Sequence, residues 1–501
     1  MTRREFVAGT AVTALSLCGR GLFAQGAAGT SNARETCLVK TPLGALRGEV
    51  TNGVRVFKGV PFAVPPTGAL RFRTAGKMTP WTGERDATKF APVAMQSGEK
   101  NFAQSEDCLF LNVWTPPAAN GLPVFVWIHG GGLMGGDAIS PVFDGSGFAR
   151  EGVIIVTVAY RLGVLGFLEM EPLLGAEYAG SANNGLRDLI VALEWVQENI
   201  AAFGGDPARV TVGGESAGAK LTDVLMAVPQ GQGLFAQMIS ESGGTDRAWP
   251  KEQSLAVASG FGSVWGAHPE TLKTAPVVDL IAAQGKFVAG WPQHFPIRME
   301  IDGALLPKSP LEMIASGTTR GKRLLIGTNR DESSMFIGPH PQHDAGAADL
   351  GNMSLAKFQE VFAKYKAVYP EMSAELLRIR AVTAEEYWVP SVRVADAHAA
   401  NGSAWMYRLD FAPSSGRMKG LSYHSEDIDL VWDRKNKEAA LTTQVHQAWL
   451  AFIKGGTPAA PGLPAWPKYS REQRETLVLD TVSRVENRPQ EQELRLWDGL
   501  L

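Results

Sequence analysis

The feature that most constrains this chain is a five-residue turn, Gly214-Glu215-Ser216-Ala217-Gly218. It lies between a short apolar run, Arg209-Val-Thr-Val-Gly213, and a helical pattern marked by Leu221, Val224 and Leu225. A strand that becomes a helix within so few residues must turn sharply. The residue at the apex then takes a backbone conformation that L-residues rarely adopt. The flanking glycines have no Cβ to hold strand and helix apart. A serine at the apex projects its hydroxyl beyond the end of the strand. There it stands beside the unpaired N–H groups of the first helical turn, where an anion is stabilised. G-x-S-x-G in a strand–turn–helix setting marks Ser216 as a candidate nucleophile.

The remaining pattern supplies a fold for such a turn. Pro123–Ile128, Val153–Ala159 and Arg323–Gly327 are further short apolar runs. Between them Leu186, Leu189, Ile190, Leu193, Val196 and Ile200 recur every three or four residues, predicting one helical face from Gly185 to Ile200. Strands without a polar face, alternating with amphipathic helices, predict an α/β fold: a mostly parallel central sheet with helices on both faces and large loop insertions. Ligands in such sheets bind beyond the carboxyl ends of the strands, which is where Ser216 falls. Pro61–Gly68, Ile337–Asn352 and Gly455–Pro467 are rich in proline or glycine and read as loops. The 501 residues, 45% of them hydrophobic, show no internal repeat or polar linker. One domain over residues 29–501 is expected, behind a leader at 1–28.

The leader is predicted from its three zones. Arg3 and Arg4 precede Phe6, an apolar stretch runs from Val7 to Cys18, and small residues surround Ala24 to Ala28. A basic start, a short apolar middle and a small-residue zone make an export signal, and the arginine pair resembles the twin-arginine type. Delivery to a bacterial periplasm or beyond is the expected location. The apolar stretch is too short for a membrane span in the mature chain. A lipid anchor at Cys18 is the weaker reading, because Leu17 stands where a small residue is wanted.

The net charge of −3 becomes −5 without the leader's excess of two cations. No basic surplus recommends nucleic acid or an anionic membrane as partner. The oligomeric state is left open. Only Cys37 and Cys108 remain after the leader, so a disulfide framework is excluded. No C-x-x-C pair accompanies the eight scattered histidines, so a structural zinc site is not expected.

A second glycine cluster follows the Pro123–Ile128 strand: His129-Gly130-Gly131-Gly132-Leu133. Bare backbone N–H groups there can approach a ligand closely. The expected donors to an oxyanion are Gly131, Gly132 and Ala217, and His129 is read as structural. A serine nucleophile also needs a histidine base and a carboxylate to orient it, in the chain order serine, acid, histidine. Asp331 and Glu332 both follow the Arg323–Gly327 strand. His340, His343, His424 and His446 all lie beyond them.

Several further segments carry a resemblance. Phe57-Lys-Gly-Val-Pro-Phe-Ala63 leads into Pro65-Pro-Thr-Gly68 and Leu70-Arg-Phe72. Ser105-Glu-Asp-Cys-Leu-Phe-Leu-Asn-Val-Trp114, Asn184-Gly-Leu-Arg-Asp188 and Phe203-Gly-Gly-Asp-Pro207 follow. With the two glycine turns, these resemble the type-B carboxylesterase family, which includes the cholinesterases, from about Thr41 to Tyr469. The resemblance implies an α/β-hydrolase fold, a small-molecule ester as substrate and no cofactor. Because Asn329-Arg-Asp-Glu332 matches the family's acid turn, it selects Glu332, with Asp331 as the fallback and a helix cap as Asp331's other role. Leu421-Ser-Tyr-His-Ser-Glu-Asp-Ile428 resembles the family's histidine loop and selects His424. The resemblance also implies an Arg71–Glu106 ion pair and a supporting serine at Ser242. Glu215, beside the nucleophile, is a second carboxylate for the pocket. Trp249 and the loop after Glu332 are candidates for the pocket wall. One departure stands out: Ala94 occupies the place of the usual disulfide partner of Cys108. That thiol is then either free and buried or bridged to Cys37. The serine machinery alone does not separate an esterase from an amidase or lactonase. Non-catalytic binding members of this fold usually lack the serine or the histidine, both of which are present here.

Overall fold

The computed structural model describes residues 35–98, 101–341, 349–434 and 438–500. The expected leader, His343 and part of the loop after Glu332 lie outside the described residues. Seven parallel strands form the centre of the sheet: β1 (Leu122–Ile128), β2 (Ile154–Val158), β3 (Gly205–Glu215), β4 (Gln237–Glu241), β5 (Arg323–Asn329), β6 (Ser403–Leu409) and β7 (Thr476–Leu479). Their spatial order is β2-β1-β3-β4-β5-β6-β7. Antiparallel strands extend the sheet beyond β2, and Arg484–Glu486 closes the other edge.

Alternation along the strands divides the interior into two cores. Val124, Val126, Ile128, Val210, Val212, Leu324 and Ile326 face one side, joined by helix α1 (Asn184–Asn199) through Leu186, Leu189, Leu193 and Val196 and by α2 (Ala217–Leu225) through Leu221, Val224 and Leu225. Phe125, Trp127, Ile155, Ile239, Leu325, Trp405 and Tyr407 face the other, covered by α3 (Ala439–Gly455) through Val445, Ala448, Trp449 and Phe452. These strands therefore carry apolar residues on both faces because each face meets helices. The expected mostly parallel sheet is the one observed.

The chain runs from β1 outward to β2 and then returns to place β3 on the opposite side of β1. At such a reversal the loops leaving the two neighbouring strands diverge and open a crevice at their carboxyl ends. The His129–Leu133 turn leaves β1 there, and Ser216 leaves β3.

Ion pairs fix the segments around this crevice. The Arg71 guanidinium meets the Glu106 carboxylate at 2.6 and 2.7 Å and also donates to the carbonyls of Leu272 and Ala275. Asp188 on α1 pairs with Arg161 at 2.7 and 2.8 Å, both deeply buried. Cys37 and Cys108 are separate thiols. Cys108 is buried, and burial pushes its thiol well above the ordinary range. Ala94 and Cys108 line the same small cavity.

Candidate active site

Ser216 joins β3 to α2 at φ 58° and ψ −125°, a conformation that costs a non-glycine residue energy. Neighbours hold it there. Its N–H donates to the Glu241 carbonyl at the end of β4 (2.9 Å), and its carbonyl accepts from Lys220 N–H (2.9 Å). A Cβ on Gly214 would stand 2.3 Å, and one on Gly218 2.0 Å, from the Ile128 carbonyl oxygen. The glycines thus allow α2 to sit on the end of β1.

The β1 turn runs beside the serine: a Cβ built on Gly130 would lie 3.0 Å from that of Ser216. Gly131 and Gly132 have φ of 115° and 64°. Among the described residues, the N–H groups of Gly131, Gly132 and Ala217 donate to no other protein group. Free donors beside a serine hydroxyl are what an oxyanion formed there would need. His129 points away from this work. It stacks on Tyr160 at 4.5 Å, and its Nδ1 is 2.8 Å from the Gly130 carbonyl.

His424 bridges the remaining pieces. Its Nε2 lies 2.8 Å from Ser216 Oγ, and its Nδ1 lies 2.6 Å from Glu332 Oε2. Glu332 is fully buried. Its other oxygen accepts from the Ser242 hydroxyl (2.5 Å) and the Asn329 N–H (2.7 Å). Glu332 directs its carboxylate to the histidine; Asp331 does not. Asp331 accepts from the Ser422 N–H at 2.9 Å and pairs with Arg330, while its own N–H donates to the Ser422 carbonyl. The expectation that Asp331 caps the next helix fails for this reason: its side chain ties the acid turn to the histidine loop.

Glu215 faces His424 from the side opposite Glu332, with Oε1 3.2 Å from Nε2, and accepts from the Ser425 hydroxyl at 2.5 Å. Burial pushes the Glu215 carboxyl up to about 7, with the nearby His424 opposing the shift. Burial acts against a charged His424, but the carboxylates of Glu215 and Glu332 outweigh it and hold the imidazole at about 9. Asp427, which accepts from Tyr407 OH (2.8 Å), is raised to about 6, by burial and then by Glu332.

The profile of the carboxylesterase family matches residues 35–497. This chain belongs to the carboxylesterase family. It is 36% identical to a para-nitrobenzyl esterase of Bacillus subtilis over 90% of this chain and 96% of that protein. It is 32% identical to a fumonisin B1 esterase of Sphingopyxis macrogoltabida over 86% and 84%. Among solved structures, a PNB esterase superposes with a TM-score of 0.82 at 35% identity, covering 91% of this chain and 99% of that one. A Geobacillus stearothermophilus carboxylesterase does so at 0.82 and 33%, covering 92% and 100%. The fold is that of the α/β-hydrolases, and the protein is a carboxylic ester hydrolase.

The carboxylesterase site also contains aromatic rings: Phe336 comes from the loop after Glu332, a candidate for the pocket wall, whereas Tyr387 and Phe295 come from segments that carried no such expectation. Phe336 is 45% exposed, and its ring is 5.1 Å from that of His424; the Tyr387 ring is 4.8 Å away. Phe295 lies against Gly132, where a Cβ would come within 2.7 Å of its ring. One face of Phe295 is stacked by His294 and the ring also receives the Arg247 guanidinium. These rings come from distant segments with no shared periodicity. Backbone strain also gathers here: Leu133, Ser216, Ser242, Phe295 and Ser425 all have positive φ, though of the three rings only Phe295 shares it. Trp249 belongs to the supporting wall, donating to the Pro296 carbonyl (2.8 Å) beneath the Arg298 guanidinium. His340 is exposed and pairs with Glu375, and His446 is buried against Phe148. Neither contacts the serine. Among the described residues no cluster of side chains suited to a metal ion occurs, and no helix is long and apolar enough to cross a membrane.

Proposed function

We propose that this protein hydrolyses carboxylic esters of small molecules through an acyl-enzyme, with Ser216 as nucleophile, His424 as base and then acid, and Glu332 as the orienting carboxylate. The observation that carries this reading is the single imidazole spanning Ser216 Oγ at 2.8 Å and Glu332 Oε2 at 2.6 Å. In the neutral ring, Nδ1–H donates to Glu332 and Nε2 accepts the serine proton. Attack on the ester carbonyl builds negative charge on its oxygen. The N–H groups of Gly131, Gly132 and Ala217 stabilise that charge, each by about 2.7–4 kcal/mol if they act like donors of known oxyanion holes. His424 then gives its proton to the leaving alcohol. Water, deprotonated by the same ring, releases the acid and restores Ser216. Glu215 and Ser242 support the cycle from opposite sides: one stabilises the imidazolium, the other holds the acid. No step calls on a metal or organic cofactor.

Hydrolysis of p-nitrophenyl acetate, butyrate and octanoate, run beside Ser216→Ala, tests the reading. Loss of about 10⁶ in kcat is expected for the variant, by comparison with triad removal in another serine hydrolase. Retention of most activity would refute it. Matched esters and amides run together separate an esterase from an amidase, and the ester is expected to turn over faster. The leader motif further supports export by a folded-protein route, which we propose as the location of the activity.

A further inference from the structure

Lys220 lies one helical turn beyond Ser216 and is buried to 1% exposure. Its ammonium donates to both oxygens of the Asp246 carboxylate (2.8 and 3.0 Å), to the Gly243 carbonyl (3.2 Å) and to the Glu386 carbonyl (2.9 Å). The Glu386 carboxylate is 3.3 Å away. Three stretches of chain meet at this one group. The first is α2, which directly follows Ser216. The second is the 243–246 loop, continuous with Ser242, whose hydroxyl holds Glu332. The third is Glu386, adjacent to Tyr387, whose ring packs on His424. Each stretch supports a different one of the three residues in the proposed relay.

The core alone does not require this charge. Lys220 is surrounded on α2 by buried Ala219, Leu221 and Val224, and burying an ammonium carries a desolvation cost that a methionine of similar length avoids. Buried charged groups are retained in some proteins for the register they impose rather than for net stability. Here the hydrogen bonds run to a carbonyl and a carboxylate of the 243–246 loop and to the carbonyl of Glu386, an arrangement that joins separate segments and sets register.

We propose that Lys220 is a positioning residue: its ammonium fixes the helix of the nucleophile, the loop supporting Glu332 and the ring packed on His424 in one relative arrangement. The inference rests on the acyl-enzyme reading above. The test compares wild type, Lys220→Met and the doubly neutral Lys220→Met/Asp246→Asn, with Ser216→Ala as blank. Thermal melting, kcat, KM and the pH profile are measured on p-nitrophenyl acetate. A misplacement of about 1 Å costs about 10²-fold, so both variants should lose about 10- to 100-fold in kcat with little change in KM. The acid limb of the profile should move, because the His424–Glu332 geometry changes. Asp246 also faces the buried Arg247 guanidinium at 3.7 Å, so neutralising it as well should lower the melting temperature further and leave kcat no higher than in the single variant. Recovery of both together, or an unchanged kcat in either variant, overturns the proposal. If neither neutral variant folds, Lys220→Arg carries the test: its longer, planar head displaces the node, and an unchanged kcat and pH profile overturn it. Turnover surviving in Ser216→Ala would instead remove the acyl-enzyme reading itself.

Discussion

His424 sits between two carboxylates, and this decides how pH acts on the site. Burial disfavours the imidazolium, but Glu215 and then Glu332 favour it more strongly, and the group is held at about 9. Only the neutral ring can take the Ser216 proton, so kcat/KM should rise with pH through that region. Glu215, held at about 7 by burial, is ionised where the rise occurs and contributes its full charge there. Glu215→Gln removes that charge, destabilises the imidazolium and lowers the histidine pKa. The acid limb should move to lower pH by about 1–3 units, the usual effect of one close opposite charge. A pH profile of kcat/KM checks this, and a limb that stays in place would contradict it. The same residue scale explains what the sequence hid. Glu215 could be read as a second carboxylate from its place beside Ser216, but its approach to Nε2 depends on Ser425, whose left-handed backbone at φ 67° has no sequence signature. Asp331 reads as a cap because acidic residues commonly precede helices, yet its partner is an N–H 91 residues away.

Among elements, the junction of β1, β3 and α2 is the tightest. Two carbonyl-to-glycine contacts set the height at which α2 rests over β1, and thereby the distance from Ser216 to the Gly131 and Gly132 donors. Gly218→Ala should drive a Cβ into the Ile128 carbonyl, 2.0 Å away. Backbone cannot step aside as a side chain would, so the loss should reach or exceed the upper end of the about 1–3 kcal/mol typical of overpacking. Gly147, within the helix Ser146–Arg150, has nothing within 4 Å of its missing Cβ. Gly147→Ala should therefore be neutral or slightly stabilising, by up to about 1 kcal/mol. Thermal melting and kcat of the two variants, side by side, check the contrast. These elements were legible because β1, β2, β5 and the end of β3 carry apolar runs and each glycine turn directly follows one; β4, Gln237-Met-Ile-Ser-Glu241, gave no such run. The aromatic wall was legible only in part: the loop after Glu332 supplies Phe336, but Phe295 and Tyr387 belong to other irregular or short elements and join the wall only through that ring, 6.5 and 6.4 Å away. Lys220 was equally hidden, since a lysine on an amphipathic helix ordinarily faces water.

For the whole molecule, the family match over 35–497 covers the described fold almost end to end, while the proposed export signal lies before it. The two should therefore be separable. Replacing Arg3 and Arg4 by lysine should strand the protein in the cytoplasm with its esterase activity intact. Fractionating cells and assaying each compartment with p-nitrophenyl butyrate checks this, and undiminished activity outside the cytoplasm would rule out a twin-arginine route.

The proposed relay joins residues 208 apart in the chain at one end and 92 apart at the other. Such separations mean that contacts of high sequence distance must close before any chemistry is available. Ser216, on its strained turn, is held by β4 through Glu241, but it has no base until the segment carrying His424 is synthesised and packed across β5 and β6. On the proposed relay, a nascent or half-folded chain would present Ser216 to the cell's own esters without its base. Hydrolysis through that relay would then belong to the finished topology alone.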